Sequence, residues 1–304
     1  MADAAADLFP GFEALWIEAP WGKAFARAGG ASDAPPLLLL HGFPQSHAMW
    51  HRVAPDLART HRVICLDLKG YGWSAAPTGD PAHAVYAKRT LGREVVALME
   101  RIGHVHFAVA GHDRGGRVAY RMALDEPGRV SRLALLDIVP TLTQWERIEA
   151  QPGLNPHWPF LAGPAPGPEE AIARDPDGYF EGLLRDWTQR KDLSAFDPRA
   201  LHLYRQAWGV PERIHALCED YRAGAGPDRE ADAADLTAGR TLPMPVLVLA
   251  SRAYLDHGKA ETALSAWQRT FAPQAQGAEI DGGHFLAEEN AAETHAALRR
   301  FLAG

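Results

Sequence analysis

The sequence predicts an α/β fold: a mostly parallel central sheet with flanking helices and an inserted helical cap. Two observations carry this. Short β-like runs alternate with segments whose apolar residues recur at helical spacing, the pattern of strands joined by right-handed crossovers. Between Thr141 and Arg240, however, buried-strand runs vanish while tryptophans and prolines accumulate, so a helical insertion interrupts the alternation.

Taken in order, "EALWIEA" and "KAFARAG" flank a Pro-Trp-Gly turn and predict an opening hairpin. "PPLLLLHG" is apolar without alternation, as expected of a strand covered on both faces. "HRVICLDLKGYG", "VHFAVAGHD", "VSRLALLDIVP", "MPVLVLAS" and the weaker "QGAEIDGGH" supply the later strands. Between them "SHAMWHRVAPDLA", "KRTLGREVVALMERIG" and "GGRVAYRMALDEPG" predict helices. "GYFEGLLRDWTQR" predicts a helix within the insertion, and "LAGPAPGPEE" a loop or short linker. The expected organisation is a core from residues 1–140, a helical cap over 141–242, and the rest of the core from 243–304.

Composition narrows the function. The chain has 304 residues, 47% apolar and 23% charged, with a formal net charge of -7, which offers no basic field to nucleic acid or to an anionic membrane. Its longest aliphatic run is too short for a bilayer, and "MADAAADLFP" lacks the cationic and apolar regions of a signal peptide, so a cytoplasmic protein is expected. Cys65 and Cys218 are expected reduced, and no cofactor fingerprint or repeat is evident. His47 and His51 lie one helical turn apart but lack the glutamate of a zinc-protease helix, so no metal is expected.

The chemistry centres on "GHDRGGRVAY", residues 111 to 120. A strand ending in G-x-D-x-G and leading into a helix is the context in which a sharp turn presents its middle residue, here Asp113, above the sheet. Asp113 as a plain helix cap is the structural alternative. Asp137 follows at the end of "LLDIVP", and His284 sits in "DGGHF" after the last run. That is the chain order nucleophile, acid, base.

The chain resembles an α/β-hydrolase with an aspartate nucleophile and, within that superfamily, the fluoroacetate (haloacetate) dehalogenases. "LLLLHGFPQSHAMWHRVAPDLA", "DLKGYGWS", "GHDRGGRVAYRMALD", "LLDIVPT", "HWPF", "DLSAFDPRA", "CEDYRAG" and "GGHFLAEE" carry the resemblance nearly end to end. It implies that Arg114 and Arg117, three positions apart on one helix face, bind the substrate carboxylate, for which the guanidinium fork is suited. It also implies a halide pocket of His157, Trp158 and Tyr221, with Trp187 as a further lining residue. Arg121 is expected to carry ordinary solvated charge.

The chemistry suits these residues. A carboxylate attacks an sp3 carbon without prior deprotonation, and water activated by His284 then cleaves the resulting ester. The oxyanion of that second step would face the backbone N–H groups of Phe43, in "HGFP", and Arg114. The expected partner is a small haloacid and the expected reaction hydrolytic dehalogenation, defluorination included, with a homodimer plausible for the family.

Alternatives stay open. After "MPVLVLA" this family usually shows a Trp-Gly pair, but this chain reads "ASRAYLDHG", which makes Asp256 a rival to Asp137 as triad acid. An epoxide hydrolase shares the elbow and would use cap tyrosines such as Tyr179, Tyr204 or Tyr221, although such enzymes typically carry tryptophan where this chain has Arg114. A non-catalytic ligand-binding protein on the same fold is the third reading. The preferred halogen, α-substituent and stereochemistry are not encoded legibly.

Overall fold

The computed structural model describes residues 8–255 and 261–304. Eight strands form one sheet: β1 (Glu13–Ala19), β2 (Gly22–Gly29), β3 (Pro36–Leu40), β4 (Arg62–Leu66), β5 (Phe107–His112), β6 (Val130–Leu136), β7 (Val246–Ser251) and β8 (Gln276–Ile280). Their spatial order is β1-β2-β4-β3-β5-β6-β7-β8. The β1–β2 hairpin and the β2–β4 pair are antiparallel, and the pairs from β4 to β8 are parallel.

Burial follows position in the sheet. β5 and β7 are buried at every residue, as is β3 from Leu37 to Leu40, which is why their sequences are uniformly apolar. β1, at the edge, alternates and leaves Trp16 exposed. Parallel strands leave their carboxyl ends on one side, and there the chain places "HGFP" after β3, Asp113 after β5, Asp137 after β6 and Tyr254 after β7. His284 follows β8 on the same side.

Between β6 and β7 the chain forms helices Thr141–Ala150, His157–Leu161, Gly167–Ala173, Pro176–Trp187, Pro198–Trp208, Pro211–Ala225 and Pro227–Thr237, with no strand among these residues. The last five of these helices place proline at N1 or N2, where its missing N–H costs nothing.

Three local expectations need correction. "SHAMWHRVAPDLA" is a 3-10 turn, His47–Trp50, capped by Ser46, then a one-turn helix Ala54–Leu57, because Pro55 starts a new helix instead of continuing the old one. "LAGPAPGPEE" is not all loop, since helix Gly167–Ala173 begins inside it with Pro168 in its first turn. Arg121 is not solvated: it is buried, its Nη2 lies 2.7 Å from Asp232 Oδ1, and its Nη1 pairs with Asp235. Both partners belong to helix Pro227–Thr237, so Arg121 ties the core to the helical insertion.

Candidate active site

The elbow requires its glycines. A Cβ on Gly115 would fall 2.4 Å from the His41 carbonyl oxygen, and one on Gly111 would fall 2.6 Å from the Gly115 carbonyl, so strand and helix approach too closely for any side chain. Asp113 itself adopts φ +43, a left-handed conformation that aspartate tolerates better than most residues and that costs about 1–3 kcal/mol. Helix Asp113–Asp125 starts at this residue, and its first-turn N–H groups, Arg114 included, have no intrahelical acceptors. Their dipoles favour a negative charge there.

The Asp113 carboxylate is 7% exposed. Its Oδ1 accepts a hydrogen bond from the Phe43 N–H at 3.1 Å, and its Oδ2 lies 3.9 Å from His284 Nε2. Burial alone would raise its pKa, but the charges of His284, Arg114 and Arg117 outweigh burial and hold it well below the usual carboxylate range. The group is an anion at neutral pH.

His284 is held from both sides. Its Nδ1 donates to Asp137 Oδ2 at 2.6 Å, and its backbone N–H donates to the Trp187 carbonyl at 2.9 Å. Asp137, also left-handed at φ +56, accepts the Ser251 N–H on Oδ1 at 2.7 Å, which leaves Oδ2 for the imidazole. Burial would lower the His284 pKa, but the hydrogen bond and charge of Asp137, with Asp113 behind, raise it above the ordinary histidine value. Asp256 lies outside the described residues. Among the described residues the acid bonded to the imidazole is Asp137.

A cavity of about 30 Å³ opens between these groups, lined by Asp113, Asp137, His284, Arg117, His157 and Trp158, and closed by Trp187, Tyr254, Leu255, Ile138, Gln144 and Asn155. Burial pushes the His157 pKa down to about 3, so its imidazole is neutral and offers a dipole instead of a charge. Trp187 packs against His157 and stands edge-on to His284.

The two arginines differ in placement. Arg117 lines the cavity; its Nη1 donates to the Val139 carbonyl and to Thr141 Oγ1, both at 3.1 Å, and its buried Nε has no acceptor among the described residues. Arg114 stands one layer deeper. Its guanidinium carbon lies 3.4 Å from the Tyr221 ring centroid and 4.6 Å from that of Trp158, and none of its three buried nitrogens has a hydrogen-bond acceptor among the described residues. Asp220 Oδ1 is 3.6 Å from Nη1, close enough for charge but long for a bond. Neither Tyr221 nor Arg114 is among the residues lining the cavity.

Sequence reasoning missed several neighbours. His112 donates from Nε2 to the His284 carbonyl at 2.8 Å, and burial pushes its pKa down to about 3, which fixes a neutral tautomer beneath the base. Tyr254, within the divergent "ASRAYLDHG", places its ring 4.9 Å from that of His284. Its departure from the family pattern was the available signal. Gln144 and Asn155 carried none. His47 and His51, set aside as metal ligands, have other partners: His47 Nδ1 meets Asp67 at 2.9 Å and His51 Nδ1 donates to the Ala48 carbonyl.

The alpha/beta hydrolase fold family matches over residues 35–291. The chain belongs to the α/β-hydrolase family. Within it, the chain is 42% identical over 97% of its length, and 95% of the relative's, to the fluoroacetate dehalogenase of a Burkholderia species. It is 31% identical to the soluble epoxide hydrolase of Corynebacterium sp. (strain C12), over 85% of this chain and 87% of that one. Among solved structures, the ALR0039 protein of Nostoc sp PCC 7120 superposes with a TM-score of 0.89 at 40% identity, covering 96% of this chain and 98% of its own. Among the described residues no helix is long and apolar enough to cross a membrane.

Proposed function

We propose that this protein hydrolyses the carbon–halogen bond of short 2-halo acids, fluoroacetate among them, through an ester on Asp113. The observation that carries the reading is a buried, ionised carboxylate in a very small cavity beside two arginines with unfilled donors. A guanidinium buried with empty donors is costly unless a ligand acid completes it. The cavity is far below the several hundred Å³ of ordinary ligand pockets, which favours a two- or three-carbon substrate.

In the first step Asp113 Oδ2, the oxygen not engaged by Phe43, attacks the α-carbon in line. The new C–O bond takes the carboxylate's electron pair, and the halide leaves with the C–X pair toward the N–H groups of His157 and Trp158, with Tyr221 behind them. In the second, His284 Nε2 takes a proton from water as the water oxygen attacks the Asp113 ester carbon. The Oδ1 that becomes negative already sits on the Phe43 N–H, and the Arg114 N–H is the second candidate donor. Asp137 stabilises the imidazolium until collapse, when the ester C–O bond breaks, its oxygen takes the proton from His284 Nε2 to leave as the 2-hydroxy acid, and the Asp113 carboxylate is restored with loss of one proton to solvent.

The Corynebacterium relative keeps epoxide hydrolysis as a second reading. It requires cap tyrosines that protonate the epoxide oxygen, yet Tyr204 Oη lies 3.1 Å from Glu288 Oε1, Tyr179 packs on Phe160 and Phe180, and Tyr221 faces Arg114. None of the three lines the cavity. A fluoride electrode with fluoroacetate, run beside styrene oxide hydrolysis, separates the readings. Release of fluoride is expected; turnover of the epoxide alone would replace the proposal, and turnover of neither would favour a binding protein. Heavy-oxygen water in a single turnover is expected to label residue 113 and not the product.

A further inference from the structure

A second polar cluster lies behind the oxyanion turn, and no step above uses it. Glu288, 1% exposed, faces Gln45 and Tyr204, which are 2% and 0% exposed. Gln45 Nε2 donates to Glu288 Oε2, and Tyr204 Oη lies 3.1 Å from Glu288 Oε1, where the hydroxyl can donate to a carboxylate or accept the proton of the neutral acid. Gln45 Nε2 also approaches Tyr204 Oη at 3.4 Å. The three residues come from three parts of the site. Gln45 is two residues beyond Phe43, whose N–H holds Asp113; Glu288 is four residues beyond His284; and Tyr204 is on the cap helix Pro198–Trp208.

Main-chain bonds reinforce the same junction. Trp208 Nε1, one turn along from Tyr204, donates to the Pro44 carbonyl at 2.7 Å, and Arg52 Nη1 donates to the Glu288 carbonyl at 2.7 Å and the Ala195 carbonyl at 2.9 Å. Arg52 is therefore spent on backbone oxygens and makes no ion pair with the Glu288 side chain. The other charges around the cluster are Glu289, an anion that caps Gly283, Phe285 and Gln189, and Asp67 on the Tyr204 side, which is occupied by His47. Burial raises the Glu288 carboxyl to about 8 and the Glu289 charge adds to it, against the hydrogen bonds of Tyr204 and Gln45 and the charge of Arg52. A carboxyl in these surroundings is uncharged at neutral pH.

We propose that Glu288 is a positioning residue for the Asp113 reaction: its neutral carboxyl clips the oxyanion turn, the loop that carries His284 and the cap helix together, and its deprotonation sets the alkaline edge of turnover. Among the described residues the nearest cation to an anion formed there is Arg52, which is bonded through Nη1 to backbone oxygens and not to the carboxyl, so stabilising the anion by water requires the three elements to part. The Phe43 N–H and His284 Nε2 then lose their register on Asp113, and misplacement of that size lowers the rate of chemistry more than binding. The inference rests on the dehalogenase reading for its kinetic test, but its protonation test does not.

The experiment is a pH profile of halide release from about pH 5 to about pH 10 for the wild type and Glu288→Gln, with Glu288→Ala at about pH 7. For the wild type, kcat is expected to fall about tenfold per pH unit above the Glu288 titration. Glu288→Gln, which keeps the hydrogen bonds but cannot ionise, is expected to retain kcat at about pH 7 within about twofold and to lose that alkaline limb. Glu288→Ala is expected to lower kcat by about tenfold or more with KM nearly unchanged. An identical alkaline limb in Glu288→Gln overturns the proposal. A measurement on the unmutated protein guards against variants that do not fold: difference infrared spectra with carbon-13 glutamate should show a protonated carboxyl near neutral pH that disappears above about pH 9. Its absence near neutral pH overturns the proposal even if no haloacid is turned over, and its presence without halide release would instead count against the dehalogenase reading alone.

Discussion

Three arginines leave one helix, and the two ends of that helix treat them in opposite ways. Arg121, near its C-terminal end, is saturated by Asp232 and Asp235, with Asp125 at 3.4 Å. Arg114 and Arg117, beside the elbow, keep buried nitrogens with no hydrogen-bond acceptor among the described residues. All three are almost fully buried, so burial does not distinguish them. The difference lies in satisfaction: an arginine whose donors are filled by its own protein holds the fold together, whereas one left unfilled next to a reactive carboxylate is set up for a ligand.

That contrast can be broken most directly at Arg114. Arg114→Met should lower kcat/KM for a haloacid by about 10²–10³-fold, the cost of a lost charge-assisted pair, while thermal unfolding moves little. A large loss of stability with retained kcat/KM would make Arg114 a second Arg121. The mirror experiment comes next: Arg121→Met takes the cation from buried Asp232 and leaves Asp235 with Arg240, so it should cost about 3–5 kcal/mol in denaturant unfolding and leave kcat/KM of the folded protein within about threefold.

The acid side of the pH profile sharpens the site half of the comparison. Asp113 is held below the usual carboxylate range and stays ionised, so it gives no limb near neutrality. His284 must be neutral to accept a proton from water, and its pKa is raised. Turnover should therefore increase with pH through a single titration lying above the ordinary histidine value of about 6.5. Weakening the Asp137 contact, as in Asp137→Asn, should move that titration down. The smallest effect is expected at Thr141, which accepts from Arg117 Nη1. Thr141→Val should raise KM by about tenfold, the low end of the worth of one hydrogen bond to a charged group, with kcat changed less.

Much of this architecture was legible in the sequence because it is local. Uniform apolar runs marked β3, β5 and β7, and the elbow announced itself through glycines whose spacing is forced by close backbone contact. Asp113, Asp137 and His284 were legible because each stands just after a strand run. What stayed hidden depends on partners far apart in the chain. Arg121 looked solvated because its carboxylates, Asp232 and Asp235, arrive from a cap helix more than a hundred residues later. The meeting of Gln45, Tyr204 and Glu288 left no local trace for the same reason. Gln144 and Asn155 join the cavity wall only through the path of the cap.

Asp113 and Asp137 both bend into the left-handed region. Asparagine is the one other side chain of that shape that accepts such a bend readily, so an Asp113→Asn protein would inherit the elbow without remodelling it. An unreactive twin of this kind is suited to capturing an intact haloacid for crystallography, whereas serine, which takes up that bend less readily, would first have to be accommodated by a backbone shaped for something else.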